Sequence, residues 1–145
     1  MRQHSKNIKS PAIANIQIRK GGTVGGVCAA KISEAEVMVD GGIHDVLVTS
    51  QLPTKDKILR LCNLAKRADM KVVIDDPRNL RLISAIAEEN EVTIGVLIEV
   101  DTSMHRAGIR TDNQGVDLAR QATDLPGITF KGVMSHHFKG SQVAA

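Results

Sequence analysis

Aromatic residues are almost missing from this chain of 145 residues, which has two Phe and neither Tyr nor Trp. Single-stranded nucleic acids are held by aromatic side chains on which bases stack, so that platform is excluded. Charge of one sign is scarce too. Nineteen Lys and Arg stand against 16 Asp and Glu, and the net charge of +3 is spread along the chain without a basic patch. No nucleic-acid partner is expected. The two cysteines, Cys28 and Cys62, make neither a disulfide framework nor a zinc-ligand spacing. They read as reduced thiols of a cytoplasmic protein. The longest apolar run, residues 92–98, is far too short to span a bilayer. The opening Met1-Arg2-Gln3-His4-Ser5-Lys6 lacks the apolar stretch of a signal peptide. No membrane partner is expected.

Several motifs are missing as well. There is no P-loop and no nucleophile elbow. The glycine-rich residues 21–26 do not match a dinucleotide fingerprint and precede a strand rather than follow one, so they read as a turn. No metal site is predicted. His136 and His137 are adjacent, and neighbours on a strand point to opposite faces, which prevents joint chelation of one ion.

What is present is an alternation. Apolar, β-branched runs at 26–30, 45–49, 71–75, 93–100 and 128–135 read as strands buried on both faces of a parallel sheet. Residues 2–6 read as a further strand. Helical patterns lie between them. Pro11 opens one that runs to about residue 20. Ser33 and Glu36 make a capping-box spacing for a helix over 33–40, stopped by Gly41-Gly42. Another covers about 54–68, with Ile58, Leu61, Cys62 and Ala65 on one face. Asp76-Pro77 caps and opens a fourth, and a fifth covers about 113–122. Strand and helix in this rhythm give an α/β fold of about six parallel strands. The length suits one domain over residues 1–145. A closed (β/α)₈ barrel needs roughly 250 residues, which leaves a doubly wound sheet or an incomplete barrel.

Sites in parallel α/β folds gather at the C-terminal ends of strands. The residues there are Asp75-Asp76, Glu99 and Asp101, Arg106 and His136. Asp76 is accounted for by its helix cap and Asp101 by the turn of the loop after it. Arg106 stands just past a strand end, where a guanidinium can grip an anion. Lys6 and Lys9 flank a short polar stretch at the start, and a lysine at a barrel strand can form a Schiff base with a carbonyl cofactor.

Arg2-Gln3-His4-Ser5-Lys6-Asn7-Ile8-Lys9-Ser10-Pro11 resembles the RPHxKTHKxP signature of the D-threonine aldolase and D-serine dehydratase family. These are alanine-racemase-like, fold-type III enzymes that use pyridoxal 5′-phosphate (PLP). Residues 26–36 and 45–49 resemble the family's next strands. Glu99-Val100-Asp101-Thr102-Ser103-Met104-His105-Arg106-Ala107-Gly108-Ile109 is similar to the V-D-x-G-x-x-R-x-G segment shared with alanine racemases. Phe130-Lys131-Gly132-Val133-Met134-Ser135-His136 resembles the sixth strand.

The resemblance implies that Lys6 forms the internal aldimine with PLP and that Arg106 hydrogen-bonds the cofactor's phenolic oxygen. It places His4 near the cofactor and gives His136 a racemase-like position beside it. The departures are Gln3 for proline, Asn7-Ile8 for Thr-His, Ser103 for glycine, and the want of any tyrosine. The resemblance also implies a partial (β/α)₈ barrel like the alanine racemase N-terminal domain. On that reading the chain is a fragment without the last two barrel strands, so the inner faces of the first and sixth strands lose their neighbours and apolar side chains such as Val133 are left partly exposed. It further lacks a C-terminal β domain that supplies divalent-metal ligands in the full-length enzymes. The implied activity is a PLP-dependent lyase acting on small D-β-hydroxy amino acids, homodimeric when whole and inactive as this chain alone. An amino-acid racemase and a non-catalytic PLP-binding protein are the alternatives.

Overall fold

A computed structural model describes residues 2–23, 25–102 and 105–136. His137, Ser103 and Met104 of the sequence reading lie outside the described residues. Eleven elements alternate: β1 (Gln3–His4), α1 (Pro11–Arg19), β2 (Val27–Ala29), α2 (Ile32–Asp40), β3 (Asp45–Val48), α3 (Lys55–Ala65), β4 (Asp69–Ile74), α4 (Pro77–Glu89), β5 (Ile94–Glu99), α5 (Asp112–Asp124) and β6 (Ile128–Met134). The strands form one sheet in the order β1-β2-β3-β4-β5-β6, and every neighbouring pair is parallel.

The two prolines read as helix openings, Pro11 and Pro77, hold that place. Ser10 caps α1 by accepting from Ile13 N, ahead of Pro11. Asp76 caps α4 by accepting from Arg78 N, ahead of Pro77. Proline suits the first helical position because its missing N–H has no partner there anyway. The capping box at Ser33 is overturned. Lys31 is the N-cap of α2 and makes no side-chain cap bond. Glu34 reaches back to Ala30 N at 2.8 Å, while Glu36 turns outward to Arg60. The first strand is shorter than expected. Ser5 ends it by sending both its N–H and its hydroxyl to Cys28 O, and its own carbonyl closes a turn with Ile8 N and Lys9 N.

Alternate strand residues pack in two separate groups. Val27, Val46, Val48, Val72, Ile74, Val96 and Ile98 share one core with buried residues from all five helices, Ala14 through Ala122. The opposite face holds a small group of Cys28, Leu47 and Val73, joined by Leu97 and Met134, with no helix residue in it. Helices therefore cover one face only. That is a barrel wall, since a doubly wound sheet has helices on both faces. The wall is strongly curved. In a flat sheet β1 and β6 would lie about 24 Å apart at the usual strand spacing, yet residues from both line one cavity. The fold is a partial (β/α)₈ barrel. Val133 is 67% exposed as expected, but it stands on the helix-facing side of β6, beside Ile98 of the helix-side core, and not on the inner face.

The inner face carries charge at the N-terminal ends of its strands. Asp45 Oδ1 accepts from Arg2 Nη1 at 2.6 Å and from Lys71 Nζ at 2.8 Å. Its Oδ2 accepts from Arg2 Nη2 and from Gly26 N. Lys71 also pairs with Asp69 at 2.6 Å. Gly26 has no alternative here, because a Cβ on it would stand 1.6 Å from Asp45 O.

Candidate functional site

At the other end of the strands the inner face opens into a cavity of about 390 Å³, and its lining includes His4, Lys6, Thr49, Gln51, Glu99, Arg106 and His136. Lys6, His4, Arg106 and His136, the four residues singled out from the sequence, are thus brought together from β1, the loop after β5, and the end of β6. Each arrives by a different local device.

Lys6 lies in the Ser5-pinned turn just past β1. Its side chain is solvent-accessible at the cavity mouth. His4 ends β1, its Nδ1 accepting from Lys6 N at 3.2 Å and its Nε2 lying 3.2 Å from Thr49 Oγ1. Burial lowers its pKa, Lys6 and His136 push the same way, and Glu34 opposes them. His4 is therefore neutral at physiological pH.

Arg106 rides on a loop that is held from several sides. Val100 and Ile109 form a bridge across its base. Asp101, whose side chain is 2% exposed, accepts from His105 N and pairs with Arg110. Asp75, at the end of β4, accepts from Gly108 N at 2.8 Å. Gly108 has φ +101, and a Cβ there would meet Asp101 N at 2.7 Å, so only glycine lets the loop close. Thr102 Oγ1 lies 2.8 Å from Ser135 Oγ and ties the loop to the end of β6. Asp101 and Asp76 thus do the turn-holding and capping read for them from the sequence.

The sequence reading missed Thr49, Gln51 and the loop-anchoring role of Asp75. Gln51 Nε2 donates to the buried Glu99 at 2.6 Å. The polar run Thr49-Ser50-Gln51 directly after the apolar β3 was the available signal, since polar residues at the end of a parallel strand face the site.

The cavity collects cations. Lys6 and Arg106 have no ion pair among the described residues, Arg2 is engaged by Asp45, and Glu99 is the carboxylate of the lining. Such a lining favours an anionic ligand, and a primary amine at its mouth suits a carbonyl. Among the described residues no three of His, Cys, Asp and Glu gather closely enough to hold a metal ion. No helix among them is long and apolar enough to cross a membrane.

Comparison with known proteins agrees with the fold. The chain is 39% identical over 136 residues to the 3-hydroxy-D-aspartate aldolase of Paracoccus denitrificans, an overlap of 93% of this chain and 35% of that protein. It is 36% identical over 137 residues to the D-threonine aldolase of an Arthrobacter species, covering 94% and 36% respectively. The crystal structure of D-threonine aldolase from Filomicrobium marinum superposes with a TM-score of 0.87 at 39% identity, over 91% of this chain and 35% of that one. The chain thus spans about a third of the length of these relatives. The family described as alanine racemase, N-terminal domain, matches residues 6–144. The chain belongs to the alanine racemase N-terminal domain family.

Proposed function

We propose that the cavity holds pyridoxal 5′-phosphate and that the chain forms the cofactor-binding wall of a lyase that cleaves small D-β-hydroxy amino acids between Cα and Cβ. One observation carries the reading: a lysine amine and a guanidinium without an ion pair among the described residues, and two imidazoles, from segments far apart in sequence, converge on one cation-rich cavity. The aldolase relatives, at 36–39% identity, support the class of substrate.

The donor set fits the cofactor. The Lys6 amine suits its aldehyde carbon, and an exposed amine at a cavity mouth is accessible to it. Arg106 suits the phenolic oxygen, whose negative charge a guanidinium stabilises. His4, with its pKa lowered by burial, adds no full charge against Lys6. When bound, the cofactor supplies an electron sink for the breaking bond at Cα. The chain's residues bind and orient, and Glu99, held by Gln51, is the carboxylate of the lining. No residue of this chain is assigned to a divalent metal. The whole protein is proposed to be cytoplasmic and homodimeric, and this chain alone to hold the cofactor weakly without turnover.

The test is to mix the purified chain with PLP, reduce with borohydride, digest, and locate the added pyridoxyl group by mass spectrometry. Lys6 should carry it, and Lys6→Ala should lose both the label and the absorbance of bound cofactor. Labelling spread evenly over surface lysines, unchanged in Lys6→Ala, refutes the reading. Incubation of the chain with PLP and D-threonine should yield no aldehyde.

A further inference from the structure

The contacts of His4 permit one proton arrangement. The Lys6 backbone N–H donates to His4 Nδ1 at 3.2 Å. A backbone amide is always a donor, so Nδ1 must be bare. The neutral ring then carries its proton on Nε2, 3.2 Å from Thr49 Oγ1. Thr49 has a single hydroxyl proton. Ala29 O takes it at 3.2 Å, which leaves a lone pair on Thr49 Oγ1 for the Nε2–H of His4. The Thr49 backbone is fixed at the same place, its own N–H also donating to Ala29 O at 2.8 Å.

We propose that Thr49 is a positioning residue: together with the Lys6 N–H it holds His4 as the Nε2–H tautomer, and the bare Nδ1 of that tautomer holds the Lys6 backbone and with it the aim of the Lys6 amine into the cavity. His4 on this view is an orienting group rather than an acid or base. The inference rests on the reading of Lys6 as the cofactor lysine.

A charge on His4 would undo the arrangement. A proton on Nδ1 would face the Lys6 N–H, donor against donor. The charged groups around the ring are Lys6 in the adjoining turn, Glu34 on α2, His136 after β6, and, along the same cavity, Arg2, Arg106 and Glu99. Burial and the two nearest cationic or imidazole neighbours oppose the charge. The turn itself does not depend on His4, because Ser5 anchors it to Cys28 O through two bonds. Loss of the Thr49 hydroxyl should therefore loosen the aim of Lys6 without unfolding the chain.

The tautomer is read by ¹⁵N NMR of the histidine rings in the labelled full chain, with His4 assigned by the signals lost in His4→Gln. At neutral pH the wild type should show an Nε2–H ring. Thr49→Val should shift His4 toward the Nδ1–H form, and Thr49→Ser should restore the wild-type pattern. The rate of Lys6 labelling by PLP and borohydride should fall by roughly 3- to 10-fold in Thr49→Val, the range spanned by one hydrogen bond of ordinary net strength. The wild-type rate should break at the pH where His4 titrates. An Nδ1–H ring in the wild type, or a tautomer and labelling rate unchanged in Thr49→Val, overturns the proposal. If Lys6 is not labelled in the wild type, the cofactor reading fails on its own, and the ring spectra still decide whether Thr49 sets the tautomer.

Discussion

Replacing Asp45 by Asn tests whether the inner face is held together by charge. The exchange keeps the side chain's shape and removes its charge. The carboxylate receives four hydrogen bonds, two on each oxygen: Arg2 Nη1 and Lys71 Nζ on Oδ1, Arg2 Nη2 and Gly26 N on Oδ2. Whichever oxygen becomes an amide NH₂ turns two donor-acceptor contacts into donor against donor. Hydrogen bonds to a charged group contribute about 1.5–3 kcal/mol each. Two of them set an upper range of about 3–6 kcal/mol on that scale. Two facts lower it. The Asp45 side chain is 27% exposed, and Lys71 keeps Asp69 at 2.6 Å. We expect a loss of about 2–4 kcal/mol, a large share of the roughly 5–15 kcal/mol that keeps a domain folded.

The pH dependence follows from the same contacts. Burial pushes the Asp45 carboxyl up, but the hydrogen bonds and charges of Arg2 and Lys71 outweigh it, and its pKa lies below the ordinary value. A depressed carboxylate stabilises the fold fully above its unfolded pKa of about 3.9, and that contribution is lost as pH falls through the folded value. The wild type should therefore lose more stability between pH 5 and pH 3 than Asp45→Asn does. Urea unfolding followed by circular dichroism at pH 7, 5 and 3 measures both effects. A loss under about 0.5 kcal/mol at pH 7, the size of an ordinary surface substitution, or equal acid losses in the two proteins, would refute the reasoning.

Gly26→Ala places a methyl 1.6 Å from Asp45 O, so β2 and β3 must part; we expect a loss above the usual overpacking range of about 1–3 kcal/mol, read as a lower urea midpoint or insoluble expression. Asp76→Ala removes the cap on Arg78 N and should cost about 1 kcal/mol at pH 7. Because the Arg78 side chain and then its backbone N–H hold the Asp76 carboxyl down at about 2, that difference should persist to about pH 4 and fade as pH falls toward 2, which thermal melts across that range will show. Leu61→Ala empties a fully buried position in α3 and should cost about 2–5 kcal/mol, whereas Leu82→Ala, 37% exposed on α4, should cost far less in the same urea titration.

The elements of this protein were legible in its sequence because their causes are local. β-branched runs, Pro11, and Asp76 before Pro77 act within a few residues, and the structure has strands and helices where they stand. The α2 cap was misread because two glutamates, Glu34 and Glu36, lie near enough to serve, and only the path of the chain before Lys31 chooses between them. Lys6, His4, Arg106 and His136 were legible as parts of familiar segments, although nothing in their spacing says that they meet. Their convergence, and the choice of a curled barrel wall over a doubly wound sheet, depend on which face the helices cover and how far the sheet bends. Both are sums over many distant contacts, and the same alternation of strand and helix is compatible with either fold. Thr49, Gln51 and Asp75 stayed hidden for the same reason. Their partners, His4, Glu99 and Gly108, stand 45, 48 and 33 residues away, and only the closing of the sheet around its inner face brings each pair within a hydrogen bond.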